Sequence, residues 1–130
     1  MMGLVEEHFE SLKTRDRFHE ATLIAVPNGT YVVRIPRFPL PQGWNRSETT
    51  LYFVIPVGYP VAKPDTFWTE PGLALASGAQ PQAANPGGNH LEGLPSGLLW
   101  FSWHAGTWNP NRDNLHSYVG LIGKRFQELR

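Results

Sequence analysis

The chain has 130 residues, close to the commonest domain size, and 41% of them are hydrophobic, with five tryptophans and seven phenylalanines. That is enough to bury one core and too little for two ordinary domains, so residues 1–130 are read as a single domain and a wholly disordered chain is excluded. Eleven basic and eleven acidic residues balance to zero without a long run of either sign, which excludes an electrostatic nucleic-acid binder or a membrane-surface protein.

The spacing of Val5, Phe9 and Leu12 predicts a helix from Leu4 to Phe18 with one buried stripe. Thr22 to Val26 and Tyr31 to Ile35 are β-branched runs separated by Pro27-Asn28-Gly29, which predicts a hairpin. Arg37 to Glu48 holds two prolines, Gly43 and Trp44, the composition of a loop with an aromatic anchor. Thr50 to Val57 is the most strand-like run. Between Pro60 and Pro95 lie six of the twelve prolines and five of the thirteen glycines, with Thr66 to Thr69 as one short strand. A connection of that length in a small domain is usually functional, so a site is expected there. Leu98 to His104 reads as a further strand. Asn109-Pro110 reads as an N-cap with proline at the first helical position, followed by the stripe Leu115, Tyr118, Val119, Ile122 and Phe126 of a C-terminal helix. The expected class is α+β: an N-terminal helix, an antiparallel meander of about four strands, a long loop and a C-terminal helix.

No stretch approaches the roughly 20 apolar residues needed to cross a bilayer. The N-terminus lacks the basic-then-apolar order of a signal peptide, so a soluble cytoplasmic protein is expected. The chain has no cysteine, which removes disulfides, thiolate metal sites and thiol nucleophiles. His8 and His19 fall in or beside the helix pattern and are read as solvated. His90, His104 and His116 lack the paired spacing and acidic companions of a zinc site, so no metal is expected. The tryptophans read as core and loop anchors, because no basic surplus tracks a phosphate backbone. Lys63 follows no glycine-rich cradle, so neither a nucleotide site nor another cofactor is expected.

One ordered set of residues carries a resemblance. Leu51-Tyr52-Phe53-Val54-Ile55-Pro56 runs into Gly58-Tyr59-Pro60, then Lys63-Pro64, then Thr66-Phe67-Trp68-Thr69, and Trp108-Asn109-Pro110 precedes the terminal amphipathic stretch. This order resembles ubiquitin-conjugating enzymes, in which a Tyr-Pro pair turns the chain after the third strand and a Trp-Ser-Pro step follows the active-site segment. The nearest fit is to the bacterial relatives grouped as family E of the prokaryotic conjugating enzymes. The resemblance implies a ubiquitin-conjugating-enzyme-like fold in minimal form, without that fold's last two helices, and acyl transfer as the activity. It implies as partners a ubiquitin-like protein, a ubiquitin-activating-enzyme homologue met through the N-terminal helix, and a deconjugating metalloprotease of the same pathway, with antiviral defence among the settings left open.

Counted back from Trp108 as the family motif runs, the transferring cysteine would fall close to Trp100, within Leu99-Trp100-Phe101-Ser102-Trp103-His104. No cysteine stands there, and the family's His-Pro-Asn step is met only loosely, by Asn85-Pro86 and Asn89-His90. Ser102 is the one hydroxyl in that segment, and a hydroxyl can hold an acyl group as an oxyester when a base takes its proton. In an extended strand Trp100, Ser102 and His104 share one face, and Leu99, Phe101 and Trp103 take the other. His104 is the expected base, though same-face neighbours stand roughly 6.5 Å apart. Asn85, Asn89 or amides of Pro86-Gly87-Gly88 are the expected oxyanion donors. The catalytic set is therefore Ser102, His104 and Asn85. Two alternatives stay open: a binding module that keeps the fold without the reaction, and a chain in which the transferring cysteine has been replaced, at Ser102, Ala83, Ala84 or Ala105.

Overall fold

In the computed structural model, which describes residues 3–15 and 17–130, helix α1 spans Leu4–Arg15 and buries Phe9 and Leu12. The expected helix ran on to Phe18. Asp16 lies outside the described residues, Arg17 has φ 63°, and Phe18 instead stacks on Phe38 at 5.7 Å. Strands β1 (Thr22–Ala25) and β2 (Tyr31–Pro39) form the expected hairpin, with Thr22 opposite Arg34 and Gly29 at φ 93° in the turn.

The stretch after Ile35, expected as a loop, continues β2 to Pro39. A bulge between Ile35 and Phe38 absorbs Pro36, which has no amide donor, and Arg37 at φ 58°, after which Phe38 pairs with Thr49 and returns to the core. Trp44 does anchor the loop that follows. Its Nε1 donates to the Phe126 carbonyl at 2.8 Å, and its ring meets Phe126 edge-on at 5.5 Å.

Strand β3 (Glu48–Ile55) is covered on both faces. Leu51, Phe53 and Ile55 are fully buried on the helix side, while Tyr52 and Val54 join Val26, Val32 and Trp68 on the other. Strand β4 is Phe67–Thr69 and β6 is Leu99–Phe101, shorter than the expected Leu98 to His104. Strand β5 (Ala84–Pro86) was not expected, because three residues with an asparagine and a proline carry no strand pattern. The antiparallel sheet thus has six strands, in the order β1-β2-β3-β4-β6-β5. The first four form the expected meander, and β6 enters between β4 and β5.

Helix α2 is Leu115–Gln127. Its N-cap is Asn114, not Asn109. Asn114 Oδ1 accepts from the Ser117 amide at 3.0 Å, and Ser117 Oγ accepts from the Asn114 amide at 2.9 Å, a reciprocal capping box. Asn109 to Asp113 instead form a preceding turn, in which Asp113 Oδ2 accepts from the Asn109 amide at 2.7 Å. That bond holds the Asp113 carboxyl below the usual carboxylate range. The predicted stripe Leu115, Tyr118, Val119, Ile122 and Phe126 is buried throughout and joins Phe9 and Leu12 of α1 in one core against the inner sheet face. On the outer face the segment 87–98 crosses the sheet, placing Leu94 and Leu98 over Trp68 and bringing Gly93 against Val26 and Val32.

Candidate functional site

The two stretches that carry the resemblance lie far apart in the chain and meet in space. After Pro56 the chain turns through Gly58 at φ 89° into the cis Tyr59–Pro60 bond, and the Pro60 carbonyl accepts from Trp108 Nε1 at 2.8 Å. The rings of Tyr59 and Trp108 lie 6.4 Å apart. Lys63 Nζ donates to the Ala105 carbonyl at 3.0 Å, and Asp65 Oδ1 lies 2.6 Å from His104 Nδ1. The β3–β4 connection is thus fastened to the segment after β6 at three successive points.

The base of this seam is rigid. Thr66 is a β-branched residue at φ 56°, a conformation that costs about 1–3 kcal/mol and persists only where the surroundings enforce it. The enforcing group is the Tyr118 hydroxyl, which donates to the Thr66 carbonyl at 2.6 Å. Burial pushes the Tyr118 phenol well above its ordinary pKa, with the Asp65 carboxylate adding to the effect, so the hydroxyl keeps its proton and remains a donor. At the other end Tyr59 meets His8 of α1, oxygen to Nδ1 at 2.6 Å. His8, expected to be solvated, is half-buried by this contact, and burial lowers its pKa.

Ser102 sits one residue beyond β6. Its amide and its Oγ both donate to the Ala83 carbonyl, at 2.8 and 3.1 Å. Ala83 has φ 61°, and Arg125 of α2 holds the neighbouring Gln82 carbonyl through Nη2 at 3.0 Å. Arg125 is 5% exposed and lies over the Phe101 ring at 5.5 Å. Burial lowers its pKa, and the carbonyls of Gln82, Glu128 and Arg130 solvate its guanidinium in place of water. Asn85 pairs with Trp100 across β5 and β6, so pleat alternation puts Asn85 diagonal to Ser102 on one face of the strand pair. The expected division of β6 is seen in part: Leu99 and Phe101 are in the core and Trp103 packs on Phe67 at 5.6 Å, with Trp100 on the opposite face.

His104 does not contact Ser102 through any hydrogen bond described; its ring goes to Asp65. Asn89, at φ 48°, lies in the crossing segment, and His90 Nε2 is 2.8 Å from the Leu94 carbonyl, a bond internal to that segment. Among the described residues, no group of three His, Asp or Glu side chains is arranged to hold a metal ion, and no helix is long and apolar enough to cross a membrane.

This convergence of the Tyr-Pro turn on Trp108 accompanies a match over nearly the whole chain: the family model described as prokaryotic E2 family E matches residues 4–129. The chain belongs to prokaryotic E2 family E. No curated protein and no solved structure matches it. Membership of family E carries a conjugating-enzyme-like role in a ubiquitination-like pathway and, in general terms, interaction with a ubiquitin-like protein and an activating enzyme.

Within that family-E frame, sequence reasoning reached Ser102, His104 and Asn85 but missed Asp65, Thr66 and Tyr118 as parts of one seam. Asp65 is one of eleven acidic residues, and nothing in its spacing ties it to a histidine 39 positions later. The available signal was its location, inside the proline-bounded connection that carried the resemblance.

Proposed function

We propose that this protein is an acyl carrier for a ubiquitin-like protein in a bacterial ubiquitination-like pathway, and that Ser102 holds the acyl group as an oxyester. The observation that carries this reading is the exposed rim formed where β6 ends: Ser102, Asn85 diagonal to it on β5, and the His104–Asp65 pair two residues further along. In the step, Ser102 Oγ attacks the activated C-terminal carbonyl of the modifier. The new C–O bond forms, the bond to the previous carrier breaks, and the serine proton leaves with that carrier. The Asn85 side-chain amide serves as donor to the oxyanion, and Ser102 Oγ must first swing off the Ala83 carbonyl. The outward residues of α1, including Glu7 and Glu10, form the face for the activating enzyme, the metalloprotease of the pathway removes the modifier, and the setting is cytoplasmic.

A second reading is favoured by one specific observation. Ser102 Oγ is engaged by a backbone carbonyl and His104 by Asp65, which is the arrangement of a binding module that presents a modifier without bonding to it. One experiment separates the two. The protein is mixed with its activating enzyme, the ubiquitin-like protein and ATP, and intact mass is recorded. The carrier reading expects an adduct that survives thiol reductant, is cleaved by hydroxylamine or base, and disappears in Ser102→Ala. An adduct retained in Ser102→Ala overturns the site, and no adduct under any condition establishes the binding module.

A further inference from the structure

We infer that Asp65 is a positioning residue that holds the His104 ring with its proton on Nδ1, so that Nε2 is the proton acceptor for the amine that takes the acyl group. This rests on the carrier reading above and adds to it the base for the second half of the transfer.

Three observations bear on it. The Asp65–His104 contact is 2.6 Å, and both side chains are well exposed, at 48% and 65%. An exposed pair contributes only about 0–1 kcal/mol to a fold, and the backbone under this one is held at several points. Thr66 is held at φ 56° by the Tyr118 hydroxyl, Pro64 and Thr66 on either side of Asp65 are buried, and Lys63 ties the loop to the Ala105 carbonyl beside His104. The bracing thereby fixes where the Asp65 carboxylate stands relative to the His104 ring. Third, a carboxylate on one ring nitrogen sets the tautomer: Asp65 accepts only, so the Nδ1 proton of the neutral ring faces it. Nε2 is then the unprotonated nitrogen, and it makes no hydrogen bond among the described residues.

The chemistry balances without a further reactant. An amine approaching the Ser102 oxyester adds to the carbonyl carbon and gives a proton to His104 Nε2, which becomes doubly protonated beside the Asp65 carboxylate. As the tetrahedral intermediate collapses, the bond between the carbonyl carbon and Ser102 Oγ breaks. The departing oxygen recovers the proton from Nε2, leaving an amide, a free serine and neutral His104. His104 stands two residues beyond Ser102 with its ring turned to Asp65, so an amine nitrogen bound between the two would link Nε2 to the oxyester.

The test uses the full chain with a peptide thioester as acyl donor and free lysine as acceptor, together with nitrogen-15 NMR of the histidine rings above neutral pH. The wild-type His104 ring is expected to show Nδ1 protonated and Nε2 unprotonated. Asp65→Ala is expected to revert the ring to the Nε2-protonated form that predominates in water, and to slow release of the acyl group from the isolated serine adduct to lysine by about tenfold or more. Asp65→Glu should restore part of both effects. An unchanged tautomer in Asp65→Ala, or a changed tautomer with an unchanged rate of transfer to lysine, overturns the inference. Absence of any adduct in wild type sinks the carrier reading and the transfer role with it, while the tautomer measurement still decides by itself whether Asp65 orients His104.

Discussion

At the scale of single residues, the contact between His8 and Tyr59 has a consequence for stability. Burial lowers the His8 pKa and raises that of the Tyr59 phenol, so the folded state keeps a neutral imidazole that accepts from a protonated phenol. In the unfolded chain His8 takes up a proton near pH ~6.5. Below that value the unfolded state binds more protons than the folded one, so stability is full above it and falls as pH drops toward the lowered folded value. Denaturant titrations at pH 7.5 and 5.5 are expected to show this loss, and His8→Phe should flatten that part of the slope. An identical slope in His8→Phe would show that another group is responsible.

At the scale of elements, α2 depends on a well-defined N-terminal cap. It buries six side chains, and its first turn is closed by the Asn114–Ser117 capping box, with no acidic residue within that turn to favour the dipole. Asn114→Ala leaves the Ser117 amide without its acceptor and is expected to cost about 1 kcal/mol, a fall in Tm of roughly 3–5 °C by calorimetry. The same change made at Asn109, where the proline motif would put the cap, is the control for that assignment. If Asn109→Ala proved the more costly of the two, Asn114 would not be the effective cap.

At the scale of the whole molecule, the outer sheet face is closed by the segment 87–98, and Gly93 sets how closely that segment lies. It has φ 91°, and a Cβ there would stand 2.8 Å from Val26 Cγ2 and 3.1 Å from Val32 Cγ2. Gly93→Ala combines a disfavoured backbone with that overlap, and a loss of about 1–3 kcal/mol is expected. Trp68, 1% exposed beneath the segment, should then show red-shifted emission. Unaltered stability and emission would mean that the segment adjusts without lifting from the sheet. The edge at β5 is protected differently: the Ala84 amide and carbonyl are taken by the Pro81 carbonyl and Gln80 Nε2, and Pro86 offers no donor, which blunts it against strand addition.

Much of this was legible before any coordinates. The hairpin, β3 and the α2 stripe follow from local chemistry, since β-branched runs around Asn-Gly and apolar residues at helical spacing act within a few positions of one another. The ordered Tyr-Pro and Trp-Asn-Pro steps were legible for the same reason, and so was the segment in which to look for a nucleophile. The strands that depended on partners were not. β5 exists because β6 offers it a ladder, β2 continues past Pro36 because a bulge restores its phase against β3, and the α2 cap moved to Asn114 because Asp113 closes a separate turn with Asn109. The site divides along the same line. Sequence position alone nominated Ser102, Asn85 and His104, and the pleat brings the first two onto one face. Only tertiary structure decided that His104 turns to Asp65, because that pairing joins residues 39 apart across two connections braced by Tyr118 and Lys63, and no local pattern encodes which loops will meet.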